Sequence, residues 1–279
     1  MTGHFIRATV ALVQDTFREA MARKIFWGLF AISALMIAFF LFLLKIDVVA
    51  GATATVSLFG SSIDRRTDLG RVVVMVHASI ATFLYGFGMF LAVFASAGLT
   101  PSLLESGRIE LLLSKPVARW HLLLSRYLGN ILIIFLNSSF LVTGVWLIFG
   151  LKTGIWSASF LWTIATTVFL FAVLLTVVVL AGVLFESAAL ATMVTVALMI
   201  LSPILAQTQM MERLLSSESS RQVWRGLYYV LPKAHDLGRM TLEIVQGKAV
   251  TDLMPLWSSA IFGLVVLSIA VFFFHRRDY

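Results

Sequence analysis

The histidines are the first residues to test for chemistry. His4, His77, His121, His235 and His275 are scattered over 279 residues, and none stands at helical spacing from another histidine. A helix-borne zinc site such as His-Glu-x-x-His needs ligands one turn apart, so these five build neither a metalloprotease nor a haem centre. The chain has no cysteine, which removes disulfides, thiolate metal sites and thiol nucleophiles. Phosphate-loop nucleotide binding requires Gly-x4-Gly-Lys-Ser/Thr; Gly150-Leu-Lys-Thr-Gly154 and Gly247-Lys248 lack that spacing. His235-Asp236 fits either a ligand-orienting pair or a local surface contact. The chain itself is therefore read as not an enzyme and as holding no cofactor or metal.

Two stretches carry polar groups of another kind. Residues 101–121 run Pro-Ser-Leu-Leu-Glu-Ser-Gly-Arg-Ile-Glu-Leu-Leu-Leu-Ser-Lys-Pro-Val-Ala-Arg-Trp-His after Thr100. Pro101 suits a first helical turn and Pro116 interrupts whatever helix precedes it. Between them Ile109, Leu111, Leu112 and Leu113 form an apolar block flanked by Glu105, Arg108, Glu110, Lys115 and Arg119. By charge and apolar pattern alone this is equally a docking element for a soluble partner or a solvated connector with its leucines tucked inward. The second stretch, Asn137-Ser138-Ser139, either lines a polar path or hydrogen-bonds between helices, each such bond being worth under about 1 kcal/mol.

The elements that must position these groups are membrane helices. The chain is 60% hydrophobic and 13% charged, with a mean hydropathy of +0.97. A soluble domain carries about twice that charge, so a soluble enzyme and a disordered chain are both excluded. Six apolar runs meet the roughly 20-residue requirement for a span: Ile25–Leu44, Val72–Leu99, Leu122–Gly150, Ser159–Phe185, Ser187–Ala206 and Leu256–Phe274. Continuous apolar runs rule out alternating barrel strands. The expected fold is an all-α polytopic membrane protein, with residues 1–24 preceding a six-helix domain over 25–279.

Six spans put both termini on one side. Lys and Arg divide ten to eleven between the two sides, but the ten lie in shorter segments close to span ends, where the positive-inside rule acts. Both termini are expected in the cytoplasm. The net charge of +7 suits an anionic leaflet, and its scatter along the chain gives no nucleic-acid surface. Residues 4–24 gather Ile6, Val10, Val13, Phe17, Ala20 and Met21 on one helical face, opposite Arg7, Gln14 and Arg18, with Asp15 and Glu19 beside them. Such a helix lies in the membrane interface or packs on a partner or the bundle. Residues 207–255 form a long loop with its own periodicity around Trp224, Leu227, Tyr228, Val230 and Leu231. Short helices dipping into the outer leaflet are expected there, with a small cap as the alternative.

The run Glu105-Ser-Gly-Arg-Ile-Glu-Leu-Leu-Leu-Ser-Lys-Pro-Val-Ala-Arg119, followed by Leu-Leu-Leu-Ser-Arg-Tyr-Leu-Gly129, resembles the cytoplasmic loop of ABC-2 type transporter permeases. Asp15–Lys24, Tyr229-Val-Leu-Pro232 and Arg276–Tyr279 resemble the family's N-terminal segment, last external loop and C-terminal ending. The likeness is greatest to the subgroup associated with multi-copper enzyme maturation, including nitrous oxide reductase maturation. Arg108, Ala118 and Trp120-His121 depart from the usual pattern.

The resemblance implies a type V exporter-like fold in a bacterial or archaeal cytoplasmic membrane. The permease would pair with a second copy of itself or another permease, and each would bind a separate ATPase subunit carrying ATP and magnesium. It implies an elbow role for residues 1–24, re-entrant helices within 207–255, and a coupling helix within 101–121. The coupling contact would fall to Glu105, Arg108, Glu110, Leu111, Leu112, Ser114, Lys115, Pro116 and Arg119. The function implied is export driven by that ATPase; the alternative is a subunit that transmits its motion to a periplasmic partner at 207–255 and moves no substrate itself.

Overall fold

Lipid offers no hydrogen bonds, so each backbone group inside it must be satisfied within its own segment. The chain answers with long helices. The computed structural model describes residues 2–22, 24–49, 53–58, 61–98, 101–103, 118–207 and 217–276. Helix α1 (Thr2–Ala22) leads to α2 (Lys24–Ala38), which ends in a π-helical turn, Phe39–Leu43. Next comes a meander of β1 (Leu44–Val49), β2 (Thr53–Leu58) and β3 (Ser61–Asp68). Helices α3 (Leu69–Phe83) and α4 (Met89–Ala97) form one span through a π turn at Leu84–Gly88, and a 3-10 turn follows at Pro101–Leu103. The remaining helices among the described residues are α5 (Arg119–Thr153), α6 (Ala158–Phe185), α7 (Ala188–Leu205), α8 (Glu218–Val230), α9 (Ala234–Val245) and α10 (Met254–Arg276).

Among the described residues, five helical units are long and apolar enough to cross a membrane: Leu69–Ala97, Arg119–Thr153, Ala158–Phe185, Ala188–Leu205 and Met254–Arg276. A sixth is reached if Val10–Ala22 and Phe26–Phe42, bent by 72°, count as one. The membrane part is thus all α, as expected. The most apolar span, α6, is also the most enclosed: 67% of its central stretch is buried, against 17% for α10. It packs against α4, α5, α7, α9 and α10, and Phe171, Leu174, Leu175 and Val178 fill the main core.

The sequence pattern marks no element between the first two apolar runs, where this meander lies. The strands pair antiparallel in the order β1-β2-β3, with Leu44 opposite Leu58 and Thr53 opposite Asp68. Its Val and Thr residues suit strands, but pairing depends on partners brought together by the turns.

Local chemistry fixes the helix ends. Gly154 takes φ +74 after α5, and Glu186 takes φ 51 after α6; both are left-handed cap positions. Ser187 then accepts the Leu190 N–H at 3.4 Å, starting α7 at once. Lys152 Nζ donates to the carbonyls of Phe40 (3.0 Å) and Leu41 (2.6 Å), so a cation at the end of α5 covers acceptors in the π turn of the first span. Beside it, the Trp156 ring lies on Gly150: an added Cβ there would come within 2.6 Å of Cζ3. Trp146 meets Trp156 edge to face with centroids 4.7 Å apart.

This close approach makes Gly150 a direct test of the α5–α6 turn. Gly150→Ala should destabilise the bundle by about 1–3 kcal/mol through overpacking, seen as a lower melting temperature in detergent. A melt equal to wild type would mean that Trp156 moves aside.

Candidate functional site

The site is built where α1, the start of α5 and the turn after α4 meet. Thr16 on α1 is fully buried and donates to the Leu12 carbonyl at 2.9 Å. It rests on Gly129 of α5, where a Cβ would stand 2.8 Å from Thr16 Cβ. Only a bare backbone at 129 lets the two helices come this near. Asp15 and Glu19 lie one turn apart on α1 and therefore reach the same side.

Between them sits Arg126 of α5, with its side chain 5% exposed. Its Nη2 donates to Asp15 Oδ2 at 3.3 Å, and its Nη1 donates to Glu19 Oε2. The other oxygen of Glu19 accepts from Ser102 Oγ at 2.8 Å, and Ser102 belongs to the Pro101–Leu103 turn. One carboxylate on α1 thus holds Ser102, at the start of the 101–121 segment, and Arg126, just beyond its end. Charge-assisted bonds of this type are about twice as strong as neutral ones.

Two further contacts brace this end. Trp27 Nε1 donates to the Met21 carbonyl at 2.9 Å across the bend between α1 and α2. Phe26 packs edge to face on Phe17, centroids 6.3 Å apart, in a cluster with Ala20 and Ile133. Arg119 Nη1 donates to the His275 carbonyl at 3.3 Å, joining the exit of the 101–121 segment to the end of α10. Arg119 is the one coupling candidate within the described residues. Glu105, Arg108, Glu110, Leu111, Leu112, Ser114, Lys115 and Pro116 lie outside them.

Asn137, Ser138 and Ser139 are on α5. Asn137 Oδ1 accepts from Ser33 Oγ of α2 at 3.4 Å, while Asn137 Nδ2 is buried without a partner among the described residues. Ser138 donates to the Ile134 carbonyl at 2.8 Å, and Ser139 Oγ is buried and unpaired. Asn137, Ser138, Ser33 and Thr167 line a void of about 30 Å³ beside the π turn. That is room for about one water molecule, not for a transported solute. His77, set at one end of the second span by the sequence, is fully buried and stacks on Phe160 at 4.0 Å, with neither nitrogen paired among the described residues.

At the opposite end α8 and α9 form a hairpin whose turn enters the bundle. Lys233 at the turn is 2% exposed. Its N–H donates to Ser259 Oγ of α10 at 3.0 Å, and its Nζ donates to the Tyr228 carbonyl at 2.7 Å and Ser258 Oγ at 3.3 Å. The ammonium also lies 4.1 Å from the Tyr228 ring centre. Burial pulls the Lys233 pKa below its ordinary value, opposed by the nearby Asp236 and Asp252 charges. Burial and the Asp236 carboxylate, which accepts from the Tyr228 hydroxyl at 2.8 Å, push the Tyr228 pKa up. Sequence reasoning missed this lysine and the roles of Asp15, Glu19, Ser102 and Arg126. A pair of acids one turn apart on an amphipathic helix, with a lone arginine just inside a span, was the available signal.

Long apolar helices around a buried central span, with charge clusters confined to the two ends, define a polytopic membrane protein. The chain belongs to the ABC-2 family of transporter proteins, whose sequence pattern it matches over residues 10–279. It is thereby a membrane permease component of an ABC transporter, a class that pairs with an ABC ATPase. No curated protein matches it.

Removing one partner from a buried charge pair costs about 3–5 kcal/mol. Arg126→Ala should therefore lower the melting temperature sharply. Ser102→Ala, which leaves the ion pair intact, should lower it by much less. Equal melts for the two variants would refute the central role of Arg126. For Lys233 the folded-state pKa is below the unfolded one, so the unfolded chain binds more protons in the interval between them and stability rises with pH there. Below pH 10, where Tyr228 does not yet oppose it, the wild-type melting temperature should climb with pH relative to Lys233→Met. Parallel pH profiles would contradict this.

Proposed function

We propose that this chain is the transmembrane subunit of an ATP-driven exporter in a bacterial or archaeal cytoplasmic membrane, with both termini and the 101–121 segment on the cytoplasmic side. The observation that carries the reading is the grip of Glu19 on both Ser102 and Arg126. An ATPase pressing on the 101–121 segment, through Glu105, Arg108, Glu110, Ser114, Lys115 and Arg119 with Leu111, Leu112 and Pro116 shaping the contact, would move α1 and α5 together. Amphipathic α1, set at 72° to the first span, would lie along the interface as an elbow. ATP and magnesium would sit on the ATPase, and a second permease, identical or paired, would complete the path.

A second reading is favoured by the size of the Asn137 void, which admits water alone, and by the α8–α9 hairpin pinned through Lys233. In it the subunit transmits ATPase motion across the bilayer to a periplasmic partner seated on 207–255. Both readings require the same cytoplasmic contact.

Pull-down of the tagged chain from its native membrane in mild detergent should recover a soluble P-loop ATPase in equal amount. The double variant Arg108→Glu/Lys115→Glu should lose it while eluting as wild type in size-exclusion chromatography. A chain recovered alone would sink the coupled reading, and full retention of the ATPase by the double variant would sink the docking assignment.

A further inference from the structure

A cavity of about 770 Å³ opens between the second span, α7 and α9. It is far larger than the Asn137 void and within the range that takes a drug-sized or single-chain molecule. Its walls are apolar, built by Phe90, Leu170, Met199 and Ile200. Its hydroxyls, from Thr82 and Tyr85, come from the second span, and its two basic side chains are grouped on α9. His235 and Arg239, one turn apart on α9, both line it.

Neither side chain is consumed by the fold. Among the described residues the only ion pair of Arg239 is a long one, from Nε to Glu243 Oε1 at 3.9 Å, and Glu243 is not part of the lining. His235 is tied through its backbone N–H, which donates to Ser202 Oγ at 3.0 Å, and its ring is exposed. The π turn provides the space. Gly86 lines the cavity, and a Cβ added there would meet nothing within 4 Å. Gly238 lies against Tyr85, with an added Cβ 3.1 Å from Cδ1, and Thr241 Oγ1 donates to the Tyr85 hydroxyl at 2.9 Å. These contacts hold α9 against the middle of the second span and keep the cavity open beside them.

The basic side chains also lie toward one end. Ser202 and Pro203, beside His235, stand near the end of α7 at Leu205, on the α8–α9 side. Phe90 lies past the π turn toward the α1 side. A ligand matching this site has a charged end near the α8–α9 surface and an apolar body reaching toward the bilayer middle. Arginine and a histidine N–H recognise phosphate or carboxylate oxygens.

The geometry points to a binding site for an anionic membrane lipid, entered from the leaflet on the α8–α9 side, with its acyl chain along Phe90, Leu170 and Met199 and its headgroup on His235 and Arg239. This rests on the exporter reading for its use, since it names the class of molecule that the permease would handle. The binding itself needs only this chain.

The test is native mass spectrometry of the purified full chain, exchanged into detergent with phosphatidylglycerol or phosphatidylcholine of identical acyl chains. Wild type should retain phosphatidylglycerol about tenfold better, the worth of one charge-assisted hydrogen bond. His235→Gln/Arg239→Gln, exposed positions with little bearing on folding, should erase that preference. Gly86→Phe, which fills the cavity, should lower retention of both lipids, with its fold checked by thermal melt. Equal retention of the two lipids by wild type, or an undiminished preference in the double variant, would overturn the inference. If this assay fails while the ATPase is still recovered by pull-down, the lipid site alone falls. Loss of the ATPase with lipid preference intact would instead refute the exporter reading.

Discussion

A guanidinium taken out of water must find its compensation within hydrogen-bond reach, and at Arg126 that demand orders one whole end of the molecule. The two carboxylates that meet it come from α1, so α1 must lie across α5, and only a glycine at 129 lets it lie close enough. Glu19 has a second oxygen to satisfy, and Ser102 supplies the donor. Three segments far apart in the chain are thereby fixed around one buried charge. A force applied between residues 102 and 126 cannot move one of them without straining the others.

The other end repeats the logic with a lysine. Lys233 is desolvated at the turn of a hairpin, and its compensation comes from a carbonyl, a hydroxyl and two tyrosine rings. That arrangement holds the turn against α10, while Tyr85 and Thr241 hold α9 against the second span. Between the two charged ends the bundle is almost wholly apolar, with α6 as its axis. Two of its buried polar atoms, Asn137 Nδ2 and Thr167 Oγ1, border a void of water size. The larger cavity lies to the side, where the π turn at Leu84–Gly88 widens the second span and α9 stands against it.

Local pattern was enough for much of this. Hydropathy alone marks Leu122–Gly150 and Ser159–Phe185 as spans, because an apolar run of that length has no stable place in water. Glu186 marks the turn after α6, since a single charge between two such runs has to leave the lipid. The amphipathic face of α1 is likewise written in the spacing of Val10, Val13, Phe17 and Ala20. The 101–121 motif carries the family through residue types that need no coordinates to be read.

What only the tertiary structure decided are the pairings across sequence distance. Nothing in the order of residues says that Glu19 reaches both Ser102 and Arg126, because each contact closes a loop of many residues whose ends are positioned by the packing of spans. Lys233 looks like a surface residue until the hairpin turn is placed between α7 and α10. His235 and Arg239 acquire a shared cavity only once α9 stands beside the π turn. Hydrophobic periodicity states which segments leave water, but it is symmetric about who their neighbours are. Buried charge and close backbone approach, which depend on three-dimensional distance, break that symmetry.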